Sequence, residues 1–241
     1  MARTTSMPRK VVKEFGTSLL FNGSTAKVTL DTMGDFGSNL SSGISFSVWF
    51  KSTNTATQSL FGVFNTGTTG AFALTLNSPS ANRLSFFLRD SGNKSLEGTC
   101  YYYRMGEWNN LIASCSPGSN STTFYLNGSL VPTSYITQQT PVTFINFGFN
   151  LVIGARNLRG VVDQFFRGYI DDFYLYNRAI TSDEAEDIYY RNINPSDAIH
   201  SYSMNEESGS TVIDGVGGIN GTITAATYST DVPSKSRTTV S

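Results

Sequence analysis

Residues Phe166–Asn192 read FRGYIDDFYLYNRAITSDEAEDIYYRN, and the fold turns on the two signals they hold. The first half, Gly168–Tyr176, is an aromatic and aliphatic run of strand length that stops at Asn177, which predicts a long strand. The second half carries Thr181-x-x-Glu184, the reciprocal pairing that caps a helix N-terminus, with Ala185, Ile188 and Tyr189 on one stripe behind it. A helix over Ser182–Arg191 follows, short enough to be a plug packed on a sheet.

Upstream of this stretch, Ile44–Lys51 (ISFSVWFK) alternates cleanly. Phe46, Val48 and Phe50 share one face and Ser45, Ser47 and Trp49 the other, so one core-facing side is predicted. The same reading places strands at Ser18–Phe21, Lys27–Leu30, Ser59–Asn65, Ala71–Asn77, Arg83–Arg89, Thr99–Tyr103, Asn109–Ser114, Thr122–Asn127 and Leu151–Ala155. Turn residues such as Asn22-Gly23 fall between almost every pair, at the spacing of a sandwich or jelly roll. The predicted class is an all-β antiparallel β-sandwich with one short C-terminal helix. Three regions are expected: an extended polar arm over 1–16, the sandwich over 17–194, and a Gly-, Ser- and Thr-rich tail over 195–241 with strand-like pieces at Ala198–Met204 and Gly221–Tyr228.

Four segments together resemble the laminin-G-like, concanavalin-A-like lectin family: GISFSVWF (Gly43–Phe50), MGEWNNLIAS (Met105–Ser114), TFYLNG (Thr123–Gly128) and Phe166–Asn192. The last is the most specific, with Gly-x-Ile-Asp, an aromatic alternation, Tyr-Asn-Arg-Ala and a terminal helix. The resemblance implies a jelly roll, a structural place for Asp171, and core positions for Trp49 and Trp108, the other reading of the two tryptophans being a sugar-stacking platform. The tail segment Ile199–Thr222 is similar to the segment with which such domains usually begin, yet here it comes last. It either supplies edge strands to its own sandwich or completes a neighbouring subunit.

With 17 basic and 18 acidic side chains spread along the chain and a net charge of -1, there is no field to hold a polyanion, and nucleic acid is not an expected partner. No stretch approaches the roughly 20 apolar residues that cross a bilayer as a helix. Met1–Lys10 lacks the apolar core of a signal peptide, so folding is expected in the compartment of synthesis. Cys100 and Cys115 flank a predicted hairpin near Met105–Glu107 and could face each other on neighbouring strands; reduced core thiols are the plainer reading.

Some relatives are glucanases, and retaining hydrolysis needs two carboxyl groups about 5 Å apart. Glu97 stands alone, while Asp183, Glu184, Glu186 and Asp187 crowd the helix start, where negative charge suits the dipole. His200 is the only histidine, so its expected role is packing or hydrogen bonding. No enzyme is expected. Family members often bind calcium, and Asn22, Asp31 and Asp35 lie in a suitable loop-rich region, although Ala26-Lys27 stands where the family often has an acidic pair. Tyr101 and Tyr103 are the glycan-stacking candidates. The leading expectation is a non-catalytic decoration protein of a virus particle, from a phage, displayed on the virion surface and assembled with itself or other particle proteins through sheet edges and chain ends. The alternative is a carbohydrate-binding or adhesive module at an extracellular or cell surface; a glycan hydrolase ranks last.

Overall fold

The computed structural model describes residues 16–30, 43–65, 70–90, 92–101, 103–116, 118–140 and 149–234. All of the predicted N-terminal arm but Gly16 lies outside them. In chain order come β1 (Ser18–Asn22), β2 (Lys27–Leu30), β3 (Ile44–Lys51), β4 (Gln58–Phe64), β5 (Ala71–Leu76), β6 (Arg83–Arg89) and β7 (Ser95–Tyr101). Then follow β8 (Asn109–Cys115), β9 (Thr122–Leu126), β10 (Ser129–Val131), β11 (Ser134–Gln138), β12 (Val152–Ile153), β13 (Arg156–Leu158), β14 (Val161–Asp163) and β15 (Arg167–Tyr176). Helix α1 (Ser182–Glu186) widens into a π turn over Asp187–Arg191, and β16 (His200–Tyr202), β17 (Thr211–Val212), β18 (Gly221–Thr224) and β19 (Thr227–Ser229) are the last elements among the described residues.

Two sheets form a sandwich of jelly-roll type. The first runs β10-β9-β8-β3-β15-β1-β19, with β16 also on β15; the second runs β11-β7-β6-β5-β4-β12-β2-β18-β17, with β13 and β14 attached at β4. Among the described strands every pairing is antiparallel except β13 on β4. Long strand β15 takes β3 along one edge, while β1 and β16 share the other, in register at Leu19↔Ile170 and Leu175↔His200.

Between the sheets the apolar faces meet. Phe46 lies 4.5 Å from Phe61, 5.2 Å from Phe72, 5.3 Å from Phe86 and 6.1 Å from Phe173, ring centre to ring centre. All five rings are fully buried, and each contributes about 2 to 3 kcal/mol of hydrophobic stabilisation. The alternation in ISFSVWFK predicted one buried face, but β3 is buried on both. The reason is tertiary: a second apolar cluster of Ile112, Tyr125, Tyr174, Tyr176, Ile180, Ala185, Ile188 and Ala198 lies apart from the inter-sheet core and joins the helix to β8, β9 and β15. The capping box forms as predicted, Glu184 N–H donating to Thr181 Oγ1 at 3.3 Å and Thr181 N–H to Glu184 Oε2 at 2.9 Å. Arg178 fixes the helix at its base by paired contacts to Glu184 (2.7 and 2.8 Å) and Asp197 (2.6 and 2.9 Å). Those bonds to Arg178 hold both carboxyls below their ordinary range.

Three expectations need correction. Cys100 on β7 and Cys115 on β8 are both buried free thiols, but they sit in different sheets, because the Met105–Glu107 turn crosses between sheets instead of closing a hairpin. Burial pushes each thiol up to about 12. The predicted strand Thr99–Tyr103 is the end of β7, and Tyr103 lies past it. Gly221–Tyr228, read as one strand, is two: β18 pairs with β2 in one sheet, the chain turns at Ala225 (φ 55°), and β19 pairs with β1 in the other. Strands β10, β11, β13 and β14, of three to five residues and largely exposed or half-exposed, are too short for alternation to reveal them.

Candidate functional site

On the outer face of the first sheet, a cleft of about 460 Å³ is lined by Trp49, Lys51, Arg104, Glu107, Trp108, Tyr189, Tyr190 and Ser234. Alternation along β3 puts Trp49 and Lys51 on this face, opposite Phe50 and the core. Trp49 is 4% exposed and stacks on Tyr189, with ring centres 5.5 Å apart and planes 19° from parallel. Tyr190 meets Tyr189 edge-on at 4.8 Å and is 54% exposed. Both tyrosines belong to the π turn, and Gly128 lets that turn approach the sheet: a Cβ there would lie 3.1 Å from Tyr189 and 3.3 Å from Tyr190. Asn127 and Gly128 have φ of 53° and 77°, as a tight β9–β10 turn of Asn-Gly type requires.

The opposite wall is the Arg104–Trp108 turn, and buried Asn109 holds it in shape. Its side-chain amide donates to the carbonyls of Arg104 and Glu107, each at 2.8 Å, and its oxygen accepts from Arg104 N–H at 2.9 Å. Trp108, implied to be a core residue, is instead half-buried, because it lies in the crossing loop one residue before β8. Its indole Nε1–H donates to Asp231 Oδ1 at 2.9 Å, and Lys51 Nζ lies 2.7 Å from Asp231 Oδ2. Burial works against the Asp231 charge, but Lys51 and Trp108 outweigh it and hold this carboxyl below the ordinary range. Tyr169 backs the same corner, 6.1 Å from the Trp108 ring and 5.4 Å from Lys51 Nζ.

The residues singled out from sequence lie elsewhere. Tyr101 is 39% exposed with Arg83 4.6 Å above its ring, whereas Tyr103 is 5% exposed and donates its hydroxyl to Asn77 Oδ1 at 2.8 Å. The two therefore form no shared sugar platform. Asn22 uses its side-chain oxygen to accept from the N–H groups of Ser24, Thr25 and Ala26, each at 3.0 Å, which shapes the β1–β2 loop. Asp31 and Asp35 lie outside the described residues. Among the described residues no three His, Cys, Asp or Glu side chains converge as metal ligands. Asp171 is fully buried and accepts from Asp172 N–H at 2.8 Å, stiffening the bulge where β15 slips against β3. Glu97 accepts from Ser85 at 2.6 Å. His200 Nδ1 lies 2.6 Å from Asp214 Oδ2, and Asp214 also accepts from the N–H groups of Ser201, Val216, Gly217 and Ile219 at 3.0 to 3.1 Å. Burial opposes the Asp214 charge, but His200 and these amides outweigh it and hold the carboxyl far below the usual range.

Sequence reasoning missed Tyr189, Tyr190, Lys51 and Asp231. One local signal was available: two adjacent tyrosines cannot share a single helical stripe, so one of them had to face something other than the core. Asp231, by contrast, sits in an unpatterned tail and meets the cleft only through topology.

A family model described as the concanavalin A-like lectin/glucanases superfamily matches residues 22–186. No curated protein sequence matches the chain. Among solved structures, the chain is similar to a Bacteroides ovatus protein proposed to bind carbohydrate (TM-score 0.67, 14% identity, 92% of this chain and 62% of that one). It is also similar to domain 4 of AbnA, a GH43 extracellular arabinanase from Geobacillus stearothermophilus, in complex with arabinotriose (0.51, 19%, 74% and 79%). A third is the Ruminococcus gnavus IT-sialidase CBM40 bound to α2,3-sialyllactose (0.50, 18%, 68% and 97%). At these identities the likeness is one of fold, and the chain spans 62% of the Bacteroides protein.

Proposed function

This chain belongs to the concanavalin A-like lectin/glucanases superfamily, and on that premise we propose that it is a non-catalytic carbohydrate-binding module of a displayed surface, with its glycan site in the Trp49–Trp108 cleft. The observation that carries the reading is the gathering of Trp49, Trp108, Tyr189 and Tyr190 around one cleft with Lys51, Arg104 and Glu107 between them. Sugar rings present apolar C–H faces and a rim of hydroxyls. Aromatic faces bury the former, and charged and hydroxyl groups hydrogen-bond the latter, which is the mixed lining that small-molecule sites use. The carbohydrate-associated structures of the same fold point the same way.

Trp108→Ala tests it on a glycan array followed by calorimetry. Losing one half-buried indole face removes about 1.5 to 2.5 kcal/mol, so an order-of-magnitude weaker Kd or worse is expected. Unchanged binding by the variant, or no glycan bound by the parent, would sink the reading. Display on a virus particle, suggested by the polar ends at 1–16 and 195–241, requires the same exposed module but supplies no ligand chemistry. Strands β16 to β19 of the tail lie in this chain's own sheets, which weighs against assembly by donating them to a neighbour.

A further inference from the structure

Both basic groups in the cleft lining already face a carboxylate. Lys51 Nζ is 2.7 Å from Asp231 Oδ2, with the two side chains 27% and 34% exposed, and Arg104 is 3.4 Å from Glu107, with both well exposed. Two cations and two anions cancel. Asp231 does more than balance Lys51: it also takes the one indole donor of Trp108, which leaves that ring its π face to offer. Its own backbone is anchored, since Ser18 Oγ donates to the Asp231 carbonyl at 2.6 Å and Asp231 N–H donates to Ser229 Oγ at 3.1 Å.

We infer that Asp231 is the specificity-determining residue of this cleft and restricts it to neutral saccharides. The inference rests on the glycan reading above. A carboxylated sugar entering beside Lys51 must displace an existing short ion pair and sit near the Asp231 charge, whereas the hydroxyls of a neutral sugar take up the remaining Lys51 donors and Glu107 acceptor sites with no charge displaced. Asp231 acts through Lys51 and Trp108, so it is a positioning residue.

Asp231→Asn separates charge from shape, because an amide oxygen still accepts the Trp108 N–H. The experiment compares parent, Asp231→Asn and Asp231→Asn with Lys51→Gln on matched neutral and carboxylated oligosaccharides, lactose against α2,3-sialyllactose among them, with Kd measured by calorimetry at low and high salt. The ratio of carboxylated-sugar to neutral-sugar affinity is expected to rise roughly fivefold or more in Asp231→Asn, to fall again in salt, and not to rise in the double variant. A purely structural Asp231 would lower both affinities together, and that result overturns the inference. So does a parent that prefers carboxylated sugars, which leaves the cleft a glycan site of the other charge class. A parent that binds no member of either series overturns the glycan reading itself.

Discussion

Replacing Asp214 by alanine removes a carboxylate with no exposed side-chain surface that organises the whole tail. It accepts four backbone N–H bonds, from Ser201, Val216, Gly217 and Ile219, and pairs with His200. Val216 and Gly217 are exposed, so water replaces the lost acceptor there at little cost, but Ser201 and Ile219 are half-buried. Two donors left wanting at about 1 to 3 kcal/mol each, plus the lost His200–Asp214 contact, place the total at about 3 to 5 kcal/mol. For a chain of this length that lowers Tm by roughly 6 to 20 °C. Calorimetric melting measures the loss, and hydrogen exchange locates it: Ser201, Gly217 and Ile219 should lose protection while β3 keeps its own. The pH dependence has a fixed sign. The Asp214 carboxyl is held below its unfolded value of about 3.9, so its contribution is complete above that value and is lost as pH falls through the lower folded value. The part of the difference that comes from the Asp214 charge should be present in full above about pH 5 and shrink only in stronger acid. A variant melting within about 2 °C of the parent at neutral pH would refute the account of the tail as a unit clasped by Asp214.

Gly168→Ala should be more damaging than any surface change, since at φ 143° its Cβ would lie 2.1 Å from the Lys51 carbonyl oxygen; loss of soluble yield and of the cooperative melt is the readout. Gly128→Ala should weaken glycan binding more than it lowers Tm, because the new Cβ would meet Tyr189 and Tyr190 at the cleft; parallel calorimetry and melting separate the two effects. Asn22→Ala should cost about 1 to 2 kcal/mol through the lost β1–β2 loop bonds, by the same amount with and without chelator, as chemical denaturation would report.

Regular alternation explains what the sequence made legible. Strands β1 to β6, β8, β9 and β15 carry enough apolar side chains at period two to declare themselves, and the Thr181–Glu184 box declares the helix start. Burial of Ser45 and Ser47 was not legible, because it depends on the helix folding back over a face whose own residues read as solvent-facing; burial of Trp49 on the same face was implied by the family resemblance and not by the alternation. The candidate site was less legible still. Residues 49–51, 104–108, 189–190 and 231–234 share no spacing, and the sandwich alone brings them together. Trp108 shows the limit: the composition of MGEWNNLIAS marks an aromatic beside a strand, but whether the chain turns within one sheet or crosses to the other decides whether that aromatic is interior or accessible.

Strands β1 and β19 are antiparallel neighbours, with Ser18 directly opposite Ser229, so the chain enters and leaves the sandwich side by side. Tension applied through the two ends would not load that ladder in shear. It would open the Ser18–Ser229 end first and travel toward Leu20–Thr227 one pair at a time, as a zipper parts. Force drawn across the two ends would release β19, and with it the anchor of Asp231, before disturbing the phenylalanine core.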